Sequence, residues 1–390
     1  MNTFWKLIQT EWKRIFSNRV VVLIFFGAPL LYGLLFIQVY QKGKITDMPV
    51  VVIDEDQTPL SSRIIDALDD HESLKVVRVL TDVKPIAKEM PMREFLAVVT
   101  IPHGFEAAVL QKRYVELMAD INSANLVTAN FASRAVQTVM STLNAGVEME
   151  ALRKTGLPPT MAAERFEPFR VNYNRFYNPS GNYQLLMIPG ILGTIMQQVF
   201  FLGLALVFAR DFEDGYFKTL VGVSRNANYH ILLKLIPFLL PAILMWCVVG
   251  AMFPLFNIDM PVFSWPMAAL AAAFSLACMF FGMLFSLIVP NQLRATELLM
   301  VIATPSFLLS GYTWPLEAMP GWIAIGSSEL PLTRFLQGFR KLAVYQGGVS
   351  DVQESIIHLL VLALVCYILV LIFLHLKIRG EVKKLLPEHQ

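Results

Sequence analysis

Leu308-Leu309-Ser310-Gly311-Tyr312-Thr313-Trp314-Pro315-Leu316-Glu317-Ala318-Met319-Pro320 interrupts a hydrophobic segment where a membrane-crossing helix should still be under way. Gly311, Pro315 and Pro320 supply turns rather than helix. Non-helical backbone at membrane depth leaves polar groups unpaired unless protein covers them or they line a watery cavity. The run therefore points to a pathway through a membrane protein.

The rest of the chain agrees with that setting. Of 390 residues 55% are hydrophobic and 16% charged, and the mean hydropathy is +0.55, too apolar for a soluble protein of this length. About 20 apolar residues cross a bilayer core. Five such stretches stand out, at 20–40, 185–209, 231–256, 265–289 and 356–376, and a sixth begins near Glu297 and runs into Ser310. The predicted fold is an α-helical polytopic membrane protein with six transmembrane helices.

Lys and Arg in short connections stay on the cytoplasmic side. Lys6, Lys13, Arg14 and Arg19 precede the first stretch; Arg210, Lys218 and Arg225 follow the second; Arg294 follows the fourth; Lys377, Arg379, Lys383 and Lys384 follow the last. With six spans all of these fall on one side, so both termini are expected in the cytoplasm. The first stretch is too long for a cleaved leader and reads as an anchor. The three cysteines, Cys247, Cys278 and Cys366, all lie within spans, so no disulfide framework is expected.

Residues 41–182 change character, with charge throughout and strands alternating with helices. Strands are expected at 49–54, 74–80, 95–101 and 114–121 and a helix at 59–70, which together suggest an inserted α/β extracytoplasmic domain with a mainly parallel sheet. A long helix follows, with Val127, Phe131, Ala135, Val139, Leu143, Val147 and Ala151 at every fourth position and an end at Gly156 and Pro158-Pro159. Packing on its own sheet is weighed against an interface for a partner. Small residues at 268–273, with Cys278, Gly282 and Ser286, predict close packing of the fourth span on a neighbour.

Chemistry is constrained by what is missing. No G-x-x-x-x-G-K-[ST] phosphate loop, H-E-x-x-H, G-x-S-x-G or C-x-x-C pattern occurs, and the six histidines are scattered. Asp54-Glu55-Asp56 follows a strand and reads as a turn and helix cap. No catalytic residue, metal or cofactor is assigned to this chain, so work against a gradient would draw on another chain or an ion gradient. Two charged segments look suited to such a chain. Residues 1–19 form an amphipathic interfacial helix, with Trp5 and Trp12 among its aromatic anchors and Glu11 and Arg14 on its charged face. Asp211-Phe212-Glu213-Asp214-Gly215-Tyr216-Phe217-Lys218 opens a short helix within 210–228, acidic first and basic later, as a helix dipole favours. Within the spans, Gln197 and Gln198 with Thr194 one turn earlier, and Thr304 and Ser306 flanking Pro305, are candidate pathway groups, facing a cavity or another helix.

These residues together resemble the membrane subunits of ABC transporters of the ABC-2 type, also called type V exporters, in the multidrug-efflux subgroup with a large domain between the first two spans. The resemblance rests on Glu11-Trp12-Lys13-Arg14, Val50-Val51-Val52-Ile53-Asp54, Ile101-Pro102-His103-Gly104-Phe105, the segment around Gly215, and Ser310-Gly311-Tyr312 with Pro315, Met319-Pro320 and Leu330-Pro331-Leu332-Thr333. Tyr216 stands where the family usually has a small hydroxyl residue. The resemblance implies a permease half in the bacterial cytoplasmic (inner) membrane, paired with a second permease chain, identical or different, and surrounded by lipid. ATP and Mg would sit on separate ABC ATP-binding subunits. A periplasmic adaptor is a further conceivable partner, and nucleic acid is not one. Residues 211–218 would be the coupling helix, and 310–325 a re-entrant outer segment in which Ser310, Gly311, Trp314 and Pro315 cap an export cavity. The cargo implied is amphipathic, drug-like or lipid-like. The competing expectation is a membrane-anchored receptor or scaffold whose outer domain binds an envelope partner.

Overall fold

The computed structural model describes residues 2–17, 19–82, 95–154, 176–178 and 181–385. The chain divides into two units, Met1–Gln41 with Asn182–Gln390, and Lys42–Gly181.

The first unit opens with α1 (Asn2–Phe16), α2 (Arg19–Val22), a π-helical turn at Leu23–Gly27 and α3 (Ala28–Val39). A π turn inserts a residue into the helical ladder and re-aims the side chains around it. Here it buries Phe25 completely, against Phe200 and Phe238.

The second unit holds β1 (Met48–Asp54), α4 (Pro59–Asp69), β2 (Leu74–Leu80), β3 (Ala97–Ile101), α5 (Phe105–Leu110), β4 (Met118–Ile121) and α6 (Leu126–Lys154). The sheet order is β2-β1-β3-β4, parallel except for β4. Val50, Val52, Val99 and Ile101 form one core with Ile64 and Leu68 of α4 and with α6. The buried residues of α6 are Ala129, Ala132, Ala135, Val136 and Val139, with Phe131, Met140 and Leu143 packed against the same core. Of the every-fourth-residue stripe expected from the sequence, Phe131, Ala135, Val139 and Leu143 thus meet this core; at 3.6 residues per turn a strict four-residue repeat drifts by about 40° per step, so the stripe leaves it toward the helix ends. The predicted end at Gly156 and Pro158-Pro159 lies outside the described residues. Asp54 accepts the amides of Asp56 and Gln57 at 3.1 and 2.9 Å and the Ser61 hydroxyl at 2.7 Å, while Thr58 and Ser61 form a capping box on α4. Asp54 is therefore occupied in holding a turn, and Asp56 accepts the Thr58 hydroxyl at 2.7 Å and the Glu106 amide at 2.9 Å.

The first unit resumes with α7 (Tyr183–Glu213), α8 (Tyr216–Val223), α9 (Ala227–Leu255), α10 (Trp265–Ile288) and α11 (Gln292–Leu309). A 3-10 turn at Leu316–Ala318, α12 (Gly321–Ser328), α13 (Pro331–Phe339), a π turn at Arg340–Val344 and α14 (Val349–Leu385) complete it. Side chains of Asn182, Asn226, Ser264 and Asn291 cap α7, α9, α10 and α11, each accepting a first-turn amide. Among the described residues four helices, α7, α9, α10 and α14, are long and apolar enough to cross a bilayer, and Leu23–Val39 is a shorter apolar segment. A count of six needs that segment and the 18-residue α11 as the other crossings.

The centre of this unit is α7, packed most closely by α10. At Gly282 an added Cβ would lie 2.9 Å from the Phe201 carbonyl oxygen, so only glycine permits this approach. The helix α11 stops at Leu309, and Gly311 adopts φ +74, the left-handed conformation glycine takes freely. Beyond the break, α13 is buried among the long helices, with Phe335 stacked on Phe274 at 4.4 Å between ring centres.

Candidate functional site

The helix α1 lays its apolar face on the starts of α8 and α9, where Ile8, Leu220 and Leu233 form a small buried cluster. That packing turns Glu11 and Arg14 inward and leaves Trp5 and Trp12 on the outside. In the resulting pocket the Lys234 ammonium lies 2.7 Å from Glu11 Oε2 and 2.5 Å from Asp211 Oδ2. Arg14 donates to Asp211 Oδ1 at 2.9 Å and to Asp214 Oδ2 at 3.1 Å, and its guanidinium stacks 3.8 Å above the Tyr216 ring. The side chains of Lys234, Asp211 and Glu11 are only 1 to 3% exposed. Charges this deep are tolerable only when paired, and two carboxylates here meet two cations. The junction ties α1, α7, α8 and α9 together. Lys234 was not singled out from the sequence, although an isolated lysine in an otherwise apolar helix is the signal that finds it.

The acidic segment differs from its expected form. Asp211 and Glu213 lie in the last turn of α7 rather than opening a new helix, because Gly215 (φ +70) breaks the chain and α8 starts at Tyr216. Carboxylates at a helix C-terminus oppose its dipole, and here partners offset the cost. Asp211 has Lys234 and Arg14. Glu213 accepts from Asn291 Nδ2 at 2.8 Å, from the Gln292 amide at 3.0 Å and from the Gln292 side chain, so it caps the positive end of α11. Phe217 is buried edge-on to Phe212 at 4.8 Å. The outward face of this segment is therefore Glu213, Asp214, Gly215 and Lys218, continued by Thr219 and Val223.

The polar residues expected along a pathway are not brought together. Gln197 is fully buried, and its Oε1 accepts the Leu332 amide at 3.1 Å, pinning the start of α13 to the middle of α7. Gln198 is half-buried, while Thr304 and Pro315 are exposed. The Ser310 hydroxyl donates to the Phe307 carbonyl at 2.7 Å and accepts from the Tyr312 amide at 3.3 Å; Trp314 is exposed. A cavity of about 660 Å³ lies elsewhere, between α9 and α10, and Leu192 and Gly193 of α7 with Phe335 and Phe339 of α13 close its back. Ala268, Ala271 and Ala272 line it. Of the small residues expected to pack α10 onto a neighbour, Gly282 does so against α7, while Ala268, Ala271 and Ala272 leave room.

The sequence pattern described as ABC-2 family transporter protein matches residues 19–372. The chain belongs to the ABC-2 family. "Probable multidrug ABC transporter permease YbhR" of Escherichia coli strain K12 is 22% identical over 369 residues, covering 92% of this chain and 94% of that protein. "Probable multidrug ABC transporter permease YbhS" of the same strain is 27% identical over 183 residues, covering 46% and 48%.

With its apolar helices, this ABC-2 protein is a multi-pass membrane protein. The junction is a set of contacts: Gly215 joins α7 to α8, Arg14 and Lys234 tie α1 and α9 to Asp211 at the end of α7, and Glu213 ties the same end to the start of α11, the helix that ends at the Ser310 break.

Proposed function

We propose that the chain is the permease subunit of an ATP-driven exporter that moves amphipathic, drug-like or lipid-like molecules out of the cytoplasm or the inner leaflet. ATP and Mg are held by separate ATP-binding subunits, and a second permease chain completes the membrane pore. The basic ends of the helices lie in the cytoplasm, both termini with them, in the bacterial inner membrane.

The observation that supports this reading most is the buried junction of Glu11, Arg14, Asp211 and Lys234. A passive anchor has no use for a charged cluster that joins four helices at the foot of the bundle. The ATP-binding subunit would seat on the exposed face of α8, at Lys218, Thr219 and Val223, since Asp211 and Phe217 face inward.

The test is to purify the chain under mild detergent, identify co-eluting proteins and assay ATP hydrolysis. An ATP-binding subunit should co-elute with the native chain and be lost with Lys218→Glu plus Val223→Asp, surface changes that leave the junction intact. If no such subunit accompanies the native chain, the exporter reading fails.

A further inference from the structure

Resting on the exporter reading for its cargo, though not for binding itself, we propose that the cleft between α9 and α10 binds a cationic amphiphile, hydrocarbon body inward and positive group beside Asp259.

Size and walls come first. About 660 Å³ falls within the ~300–1,000 Å³ of small-molecule sites. The back wall is aromatic: Trp246 packs 5.4 Å from Phe335, with Phe339 beside it. Two of the few polar side chains of the wall are paired with protein, since Trp246 Nε1 donates to Ser275 Oγ at 2.8 Å and Ser275 donates to the Ala271 carbonyl at 2.7 Å. The rest of the wall is mostly hydrocarbon and aromatic, which suits a hydrocarbon better than a sugar or peptide. The cleft opens sideways, past Ile243, which is 61% exposed, and past Ala268 and Ala272. With that side toward lipid, an amphiphile enters without crossing water.

Charge then selects the ligand. Between Lys234 and Arg294 the sequence has no Lys or Arg, and Asp259 is its one charged residue. Asp259 is exposed in the connection between α9 and α10, at a smaller hollow that shares Val262 and Phe263 with the cleft. No cation among the described residues pairs with it. A phosphate or sulfate headgroup placed there meets a carboxylate and no compensating cation, which disfavours anionic ligands and the phosphate of a phospholipid. A quaternary ammonium gains the carboxylate and the aromatic faces together.

The full chain, reconstituted in phosphatidylcholine nanodiscs, would be photolabelled with a diazirine-bearing alkyltrimethylammonium and the adducts mapped by mass spectrometry. Saturable labelling on α9 and α10 is expected, competed by unlabelled alkyltrimethylammonium and not by alkyl sulfate of equal length. Ala272→Trp should fill the cleft and abolish that labelling while the melting temperature holds. Ala268→Trp, one turn earlier, serves if the first variant does not fold. Asp259→Asn should weaken apparent affinity on the order of fivefold, the scale of one exposed charge pair. Labelling that never saturates, as when bulk phospholipid fills the cleft, would overturn the proposal. So would equal competition by the sulfate, or labelling indifferent to both Trp variants. The assay needs no ATP-binding subunit, so failure here and failure of the exporter reading are separate results.

Discussion

Lys234 shows how a single residue can join parts of the chain that are far apart in sequence. Its ammonium reaches Glu11 across 223 positions, and the pair is shielded from water. Removing one member of a buried ion pair strands the other, at a cost of about 3–5 kcal/mol, whereas replacing both with apolar groups is often neutral. Lys234→Met is therefore expected to lower the thermal midpoint of the purified chain sharply, leaving Asp211 and Glu11 with Arg14 alone. Adding Glu11→Leu to that variant should recover part of the loss. A double variant no better than the single would show that the pair does not act as a unit. Gln197 is the polar counterpart deeper in the bundle: one side-chain oxygen satisfies the Leu332 amide at the start of a buried helix. Neither partnership is readable from local sequence, because each partner lies more than a hundred positions away and no local pattern encodes it. The types were legible all the same, since a lone lysine or glutamine in an apolar helix needs a partner.

At the scale of elements, closeness of approach decides which helices move together. The α7–α10 contact depends on Gly282, where a methyl group would press on backbone rather than on a yielding side chain. Gly282→Ala should destabilise the chain by about 1–3 kcal/mol through overpacking; an unchanged melting midpoint would mean that α10 shifts freely. In the α/β unit, burial works against the charged form of Asp56. Bonds from the Glu106 amide, the Thr58 hydroxyl and the Gly104 and Phe105 amides outweigh it and hold the carboxyl below its ordinary value. A depressed folded value means the contribution is complete above the usual Asp range, near 3.9, and is lost as pH falls through the lower folded value. Hydrogen exchange in α5 should accordingly be faster in Asp56→Asn than in the native chain at pH 6, with the gap closing under acid. A gap independent of pH would remove Asp56 from the account. The strands were legible because β-branched runs bounded by turn residues are a local signal, whereas the cap of α4, assigned to the acidic triplet, falls on Thr58. The α6 face was legible over its middle, Phe131 to Leu143, and not at its ends, because a four-residue spacing resembles, without equalling, the period of a helix.

Across the whole molecule, sequence reading found the membrane setting and the Ser310 break, since both are written in composition and in Gly and Pro. It did not find the cleft. An empty space is made by what two helices fail to do, and Ala268 to Ala273 can as easily admit a neighbour as hold one away. The acidic segment was likewise assigned to the wrong helix end, because charge order alone does not say on which side of Gly215 the break falls.

The π turn at Leu23–Gly27 carries a further consequence. Helix runs unbroken through it, so the apolar stretch from Val20 to Val39 has 20 residues, about 30 Å of helix, which equals a hydrocarbon core of about 30 Å. Used as a crossing, it has no residue to spare on either side, and a thicker bilayer must thin beside it. Such a protein should keep its thermal midpoint in lipids of ordinary thickness and lose stability as acyl chains lengthen. A midpoint indifferent to chain length would mean that the flank is covered by protein instead of lipid.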